Sequence, residues 1–503
     1  MLQVAPERSA TIDVENPATG EVVGTVPRMT EGDVHALAAR AREAQRTWQT
    51  MGFDGRRRIL VEARKWLSRN RDRVIETISA ESGKPRDDAT VELTLGAEAL
   101  AFWAKNAEGY LADERMRGPA PLLVGRTVVT RYEPLGLIGI IEPWNAAYSL
   151  EMLDATPALA AGNAVILKPS ELTPLSAELI QEMYLDSGMP PGVFQLAHGD
   201  GEAGGAVVDV SDYVAFTGSE RTGRKVMERA AKSLTQVSLE LGGKDPMLVL
   251  ADADLERAAS GAVYGAMFNA GQVCMSIERV YVEAPVYEEF VAKVVEQVRE
   301  LRLGASDKAG KVDIGPIIFP PQIDKIEAHV RDAVAKGARV LTGGKRADRP
   351  GRFYEPTVLV DVDHTMDVMT EETFGPVLPI MKVADAEEAV RLANDTPYGL
   401  QGSVWTADRE RGAQLAARVE AGTCNVNDAM VNLAAFAAPY GGRKSSGIGR
   451  RNAGAAGIRR FCATQVITDN RRPLKREVLW FPYSPWATRM VRGLVGVRGR
   501  FTR

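Results

Sequence analysis

At 503 residues the chain is longer than one hydrophobic core usually organises, so two or three domains are expected. Its formal net charge of -4, on a background of 25% charged residues, provides no overall basic field for nucleic acid or a membrane surface, and leaves a small molecule as the expected partner. The three cysteines, Cys274, Cys424 and Cys462, lack the close pairing of a metal knuckle, a redox motif or a disulfide framework, so no metal is expected and a reducing, cytoplasmic compartment fits best.

Residues 1–16 mix acids and bases without an apolar h-region, so no secretory signal is expected. Residues 31–109 are rich in Ala, Arg, Glu and Leu at helical spacing and predict an amphipathic helical layer. Residues 122–132, from Leu122 onward, turn to β-branched side chains broken by Gly125, which predicts a hairpin-like excursion able to pair with another subunit. Short apolar runs at 136–141, 164–167, 193–196, 213–216 and 247–250 then alternate with helical stretches, the pattern of right-handed βαβ units and a parallel sheet. Runs at 280–282, 377–381 and 404–405 repeat the theme in a second α/β domain. No apolar run reaches membrane-spanning length, so no integral membrane segment is expected.

Several stretches between these elements carry candidate chemistry. Phe268-Asn269-Ala270-Gly271-Gln272-Val273-Cys274 sets a thiol just after a Gly-Gln turn, and a thiolate is a natural nucleophile for an aldehyde carbon if a base or positive potential lies near. Taken alone, a cysteine among apolar residues is more often a buried hydrophobe. Glu240, in Leu239-Glu240-Leu241-Gly242-Gly243-Lys244, could serve as general base or be a solvated glutamate beside a structural Gly-Gly turn. Asn145, after Pro143-Trp144, offers an amide donor to an oxyanion or simple turn chemistry.

Lys168, Ser170 and Glu171 follow a strand at the end where open α/β sheets bind ligands, although Ser170 would equally start a helix cap. Gly199-Asp200-Gly201-Glu202-Ala203-Gly204 fits the G-x-G-x-x-G pattern, but on a middle strand, and a chance match is cheap among 47 glycines. Phe216-Thr217-Gly218-Ser219 is the better phosphate site, because a strand ends there and the next helix would aim free N–H groups at a pyrophosphate.

Together and in this order, Pro143-Trp144-Asn145, Lys168-Pro169-Ser170-Glu171, Phe216-Thr217-Gly218-Ser219, Glu240-Leu241-Gly242-Gly243-Lys244, Gly271-Gln272-Val273-Cys274 and Glu371-Glu372-Thr373-Phe374-Gly375-Pro376 resemble the aldehyde dehydrogenase superfamily. The resemblance runs from Asn16-Pro17-Ala18-Thr19-Gly20 to Gly447-Ile448-Gly449-Arg450. It implies an α/β subunit with a Rossmann-like cofactor domain (1–115 and 133–242), an α/β catalytic domain (243–445) and a small β oligomerisation element with a C-terminal tail (116–132 and 460–503), assembled as a homodimer or homotetramer. By resemblance Cys274 is the nucleophile, Glu240 the base and Asn145 an oxyanion donor working with the Cys274 backbone N–H. Lys168, Glu171 and Ser219 match cofactor contacts, as do Ile141, Trp144, Ser170, Gly201, Gly218, Gly223 and Leu241, while Glu372 and Phe374 match residues that hold the nicotinamide riboside. The implied reaction passes through a thiohemiacetal and a thioester on Cys274, which Glu240 hydrolyses by activating water once the reduced nicotinamide has moved aside.

Glu171 resembles the carboxylate that grips both adenosine-ribose hydroxyls and would repel a 2′-phosphate, so NAD is expected in preference to NADP. The chain also resembles succinate-semialdehyde dehydrogenases, which commonly place arginines in the substrate tunnel; here the matching positions are Leu153 and Phe268. With Leu150, Val273, Met275 and Tyr440 also expected at the tunnel, an uncharged and fairly hydrophobic aldehyde is the favoured substrate and succinate semialdehyde the alternative. Ala146-Ala147-Tyr148 departs from the family's usual aromatic and proline after the asparagine, which bears on tunnel width. A tail from Leu479, with Trp480, Phe481, Tyr483 and Trp486 followed by Arg489, Arg492, Arg498, Arg500 and Arg503, could cover a tunnel mouth, touch anionic lipid or pack on a neighbouring subunit. Glu240 argues against an acylating enzyme that passes the thioester to coenzyme A, and an intact Cys274, Glu240 and Asn145 argue against a silent binding protein on the same fold.

Overall fold

The computed structural model describes residues 10–116, 125–305, 308–477 and 480–498. Leu122, Leu479, Arg500 and Arg503 lie outside these residues. The chain separates into two units, one of residues 1–110 and 134–462 and one of 111–133 and 463–503.

The larger unit opens with an antiparallel hairpin, Thr11–Glu15 with Val22–Pro27, which the sequence pattern did not signal. The expected helical layer comes next as Glu31–Thr50, Gly52–Arg69, Arg71–Ser82 and Arg86–Tyr110. The first of these begins at a capping box, in which Thr30 and Asp33 satisfy each other's backbone N–H groups. Its buried stripe, Val34, Leu37, Ala38, Ala41 and Trp48, recurs at helical spacing, and the first four of these residues pack with Leu137, Ile166 and Val214 of a sheet.

That sheet has six strands in the order Gly447–Ile448, Gln236–Glu240, Tyr213–Thr217, Leu137–Ile141, Ala164–Lys168 and Phe194–Leu196. All neighbours are parallel except Gly447–Ile448, which runs antiparallel to Gln236–Glu240. From Leu137–Ile141 the chain builds outward to Phe194–Leu196, then returns to add Tyr213–Thr217 on the other side. The order therefore reverses between Leu137–Ile141 and Tyr213–Thr217, and in an open parallel sheet the crevice beyond the carboxyl ends at such a reversal is where ligands sit.

A second, seven-stranded sheet takes the order Arg339–Thr342, Thr357–Val360, Val377–Val383, Ile277–Glu283, Asp245–Val249, Gln401–Trp405 and Thr423–Val426. Only its first pair is antiparallel. Its central strands Ile277–Glu283 and Asp245–Val249 are buried along their whole length, as expected of a parallel sheet covered on both faces. In the smaller unit, Glu114–Met116, Arg126–Pro134 and Cys462–Asn470 form a three-stranded sheet, and the helix Pro485–Arg498 comes after it in the chain. The chain is thus an α/β protein built on parallel sheets. Among the described residues no helix is long and apolar enough to cross a membrane.

Candidate active site

Cys274 sits just beyond the helix Leu255–Met267 and a tight turn, Phe268–Gly271, in which Asn269 and Ala270 hold left-handed φ values of 53° and 55°. The turn is stitched in place by side chains on every side. Asn269 donates its backbone N–H to Asp88 (3.1 Å) and its side-chain amide to the Asn145 carbonyl (2.8 Å). Gln272 donates to the Asn269 and Pro316 carbonyls and accepts from the Ile318 N–H at 2.8 Å. Gly271 has no room for a side chain, since a Cβ there would stand 2.1 Å from the Gly375 carbonyl oxygen. Such over-determination is what allows residues other than glycine to hold a strained backbone.

The Cys274 thiol is half-buried and faces a cavity, with the Tyr440 hydroxyl 3.9 Å from Sγ. Burial pushes the thiol up to about 12, helped by the nearby Asp245 carboxyl, while the Tyr440 hydroxyl draws it back. Asn145 donates Nδ2 to the Gln272 carbonyl at 2.9 Å, which holds the carboxamide beside the cysteine turn, and its backbone carbonyl accepts from Lys84 Nζ at 2.7 Å. Lys84 in turn pairs with Glu92 inside the helical layer.

Glu240 closes its strand at the cavity, and its backbone carbonyl accepts from the Gly218 N–H at 3.0 Å. Both side-chain oxygens are buried and find no hydrogen-bond partner among the described residues. A buried carboxyl left so is most stable holding its proton, and burial raises Glu240 to about 8, with the Arg451 guanidinium partly offsetting this. Arg451 is itself fully buried and grips Asp154 through Nε (3.1 Å) and Nη2 (2.7 Å), with Glu142 (3.2 Å) and the Thr217 hydroxyl (2.5 Å) on the same nitrogen. Arg460 adds a second cation on Asp154 at 2.5 Å. Burial opposes ionisation of Asp154, but the two guanidiniums hold it below the usual carboxylate range, while burial keeps Glu142 well above it.

The cavity has a volume of about 960 Å³ and spans from Cys274 and Glu240 across the sheet reversal. Ile141, Trp144, Asn145, Lys168, Ser170, Glu171, Gly201, Gly218, Ser219, Leu241, Glu372 and Phe374 all line it, as does Leu150. Trp144 meets Phe374 edge-on at 5.5 Å and Phe319 at 6.0 Å, forming one aromatic wall. Lys168 Nζ lies 3.0 Å from Glu171. Glu372 accepts the Gly243 N–H at 3.0 Å, and burial with the nearby Glu278 raises it to about 7. Ser219 caps the helix Glu220–Ala230 by accepting from the Thr222 N–H, so that helix presents its amino end to the cavity. The volume, the helix terminus and the sheet reversal suit a dinucleotide.

The other expected positions fall elsewhere. Gly223 does not line the cavity, because the Leu241 side chain lies against it: a Cβ at Gly223 would come 2.7 Å from Leu241 Cδ2. Met275 and Tyr440 form a small buried cluster with Leu400, against which Val273 and Cys274 pack. Leu153 is buried within the helix Ala147–Ala161, and the Phe268 ring packs on Tyr264 at 5.4 Å; neither lines the cavity.

Residues that sequence reasoning passed over hold the site together. Glu278, buried against Lys244 Nζ at 2.5 Å, accepts the backbone N–H groups of Thr373 (2.7 Å) and Phe374 (2.8 Å). It thereby fixes Glu372 and Phe374, the latter at a left-handed φ of 51°. No local signal marked Glu278 or Arg451, since the partners of Glu278 lie 34 to 96 residues away and those of Arg451 234 to 309, and only the fold brings them together.

The sequence matches the Aldehyde dehydrogenase family over residues 4–467. A protein of Mycolicibacterium smegmatis named for succinate-semialdehyde dehydrogenase activity with NADP(+) is 42% identical over 461 residues, 91% of this chain and 88% of that protein. The 4,4'-diapolycopene aldehyde oxidase of Methylomonas sp is 39% identical over 476 residues, 94% of this chain and 88% of that protein. The crystal structure of lactaldehyde dehydrogenase from Escherichia coli superimposes with a TM-score of 0.88 at 34% identity, covering 92% of this chain and 96% of that one. A match over nearly the full length, in sequence and in fold, means that the chain belongs to the aldehyde dehydrogenase family and is an NAD(P)-dependent oxidoreductase of aldehydes.

Proposed function

We propose that Cys274 attacks the aldehyde carbon, that Asn145 and the Cys274 backbone N–H hold the resulting oxyanion, and that Glu240 activates the water that hydrolyses the thioester. The observation that carries this reading is the Glu240 carboxyl: buried, without a partner, at the same cavity as the cysteine, and raised to about 8. A base poised near neutrality both takes a proton from water and gives it up again each turnover. The fixed Asn145 carboxamide supplies a preorganised donor, which is worth most in a site shielded from water.

The nicotinamide dinucleotide supplies the hydride acceptor when bound. Residues 1–115 and 133–242 would hold it, with Glu372 and Phe374 at its nicotinamide riboside, Lys168, Ser170 and Glu171 at its adenosine ribose, and Gly218 and Ser219 at its pyrophosphate. The remainder of the catalytic machinery falls in 243–445. NAD is the preferred form, because Glu171 opposes a 2′-phosphate; Lys168 beside it and Arg221 and Lys225 on the same cavity keep NADP as the alternative. The small three-stranded unit, with Val466 and Ile467 exposed on one strand, is suited to joining subunits into a homodimer or homotetramer, and the compartment is the cytoplasm.

The substrate is an uncharged, fairly hydrophobic aldehyde. Leu150 on the cavity, with Val273, Met275 and Tyr440 packed around Cys274, carries no cation for a substrate carboxylate, and the guanidiniums of Arg451 and Arg460 are already engaged by Asp154. A carboxylate brought among such groups would lose its hydration without compensation. Succinate semialdehyde is the second reading, favoured by the name of the Mycolicibacterium smegmatis relative. Reduction of NAD and NADP with aliphatic, aromatic, long-chain and carboxylated aldehydes, with Cys274→Ala as control, decides between them. Turnover of apolar aldehydes with NAD, absent in the variant, is expected; a preference for succinate semialdehyde would overturn the substrate reading, and unchanged turnover in the variant the nucleophile.

A further inference from the structure

The family match ends at residue 467, and the C-terminal tail beyond it differs in character from the rest of the chain. Residues 471–503 carry nine basic residues and one acid, Glu477, in a protein whose formal net charge is -4. Glu477 is engaged by Arg126 at 3.3 Å and Asn470 at 2.7 Å. Arg471, Arg472, Lys475 and Arg476 are exposed, and so are Arg489 and Arg492, one turn apart on the helix Pro485–Arg498. Between the two basic stretches lie Trp480, Phe481, Tyr483 and Trp486, each at least 60% exposed, with Leu474 and Met490 exposed beside them.

We propose that this tail docks the enzyme on an anionic lipid surface, its arginines and lysine at the headgroups and its aromatic rings at the boundary with the acyl chains. Trp and Tyr settle at that boundary because one part of the ring is apolar and the other can stay wet. Basic groups close to the surface add electrostatic attraction, which anchors short segments that lack the length to span a membrane. The pattern fits lipid better than a second copy of this chain. A second copy docked here would bring the same nine basic residues of 471–503 against themselves, with only Glu477 of opposite sign, and like charges facing one another oppose association. It also fits lipid better than single-stranded nucleic acid, which uses aromatic faces for stacking but has no use for Leu474, Met490 or a helix whose sequence, arginines apart, is almost wholly apolar.

Vesicle binding is read without any aldehyde and does not depend on which aldehyde the enzyme oxidises. The full-length enzyme is sedimented with phosphatidylcholine vesicles with and without phosphatidylglycerol, while Trp fluorescence is monitored. Binding at least about tenfold tighter to the anionic vesicles, weakened by salt and accompanied by a blue shift, is expected. Arg489→Gln/Arg492→Gln and Trp480→Ser/Phe481→Ser/Trp486→Ser should each weaken it several-fold while turnover of a soluble aldehyde and the melting temperature hold. Equal affinity for neutral and anionic vesicles, or unchanged binding by both variants, would overturn the proposal. So would variants that lower the oligomeric mass of an enzyme indifferent to vesicles, or tighter binding to a single-stranded oligonucleotide than to vesicles.

Discussion

A carboxyl group buried without a hydrogen bond holds its proton until the pH is high enough to force it off, and Glu240 does so to about 8. With Glu240 as the proposed base, hydrolysis of the thioester needs the deprotonated form, so its rate should rise with pH and level off above about 8, whereas formation of the reduced cofactor in the first turnover should depend on the proposed nucleophile Cys274 instead. Glu240→Gln separates the two halves. The side chain keeps its shape but can no longer accept a proton, and hydrolysis should slow by about 10²–10⁴-fold. A rapid-mixing trace should still show about one equivalent of reduced cofactor per site, then near arrest. Loss of that first burst would mean that Glu240 acts before the thioester, and a steady rate close to the parent's would remove it as the base. Arg451 cannot share the proton traffic, because a guanidinium does not give up a proton in a protein; it acts on Glu240 as fixed positive charge.

Elements place these residues, and not all of them were legible. The strands 137–141, 164–168 and 213–217 read directly from the sequence because each is buried along its full length and so appears as an unbroken apolar run. Gln236–Glu240 is exposed at its start and mixes polar with apolar residues, so it carried no such run, and Glu240 was legible as a motif residue without the strand that aims it. Gly447–Ile448 is too short to signal anything, yet it completes the sheet beside Glu240. The loop holding Glu372 and Phe374 was legible in its motif but not in its support, since Glu278 sits on a strand in another part of the sequence. Glu278→Gln should therefore loosen that loop and leave Lys244 buried without its counter-charge. A loss of about 3–5 kcal/mol of stability is expected, since removing one member of a buried pair strands the other. In the protein that remains folded, KM for the cofactor should rise while labelling of Cys274 by a thiol reagent continues. An unaltered cofactor KM would show that the loop keeps its place without Glu278.

Across the whole molecule, the proton on Glu240 links activity to stability. In the unfolded chain a glutamate ionises near its ordinary value of 4.5, but in the folded enzyme Glu240 retains its proton to about 8. Between those values the folded state binds more protons than the unfolded one, so this group's contribution to stability declines as pH rises and stops changing above about 8. Glu81, also raised to about 8 by burial, and Asp88, raised to about 7, act in the same direction from the helical layer. The pH range that makes the base competent is thus the range in which the fold gives up stability. Glu240→Gln removes one titrating group and leaves Glu81 and Asp88 in place. Thermal melts of both proteins across pH 5 to 9 should show the variant's melting temperature gaining on the parent's as pH rises, with the difference constant above about 8. A difference that stays flat over the whole range would mean that Glu240 ionises at the same pH folded and unfolded, and burial would then not be what poises it.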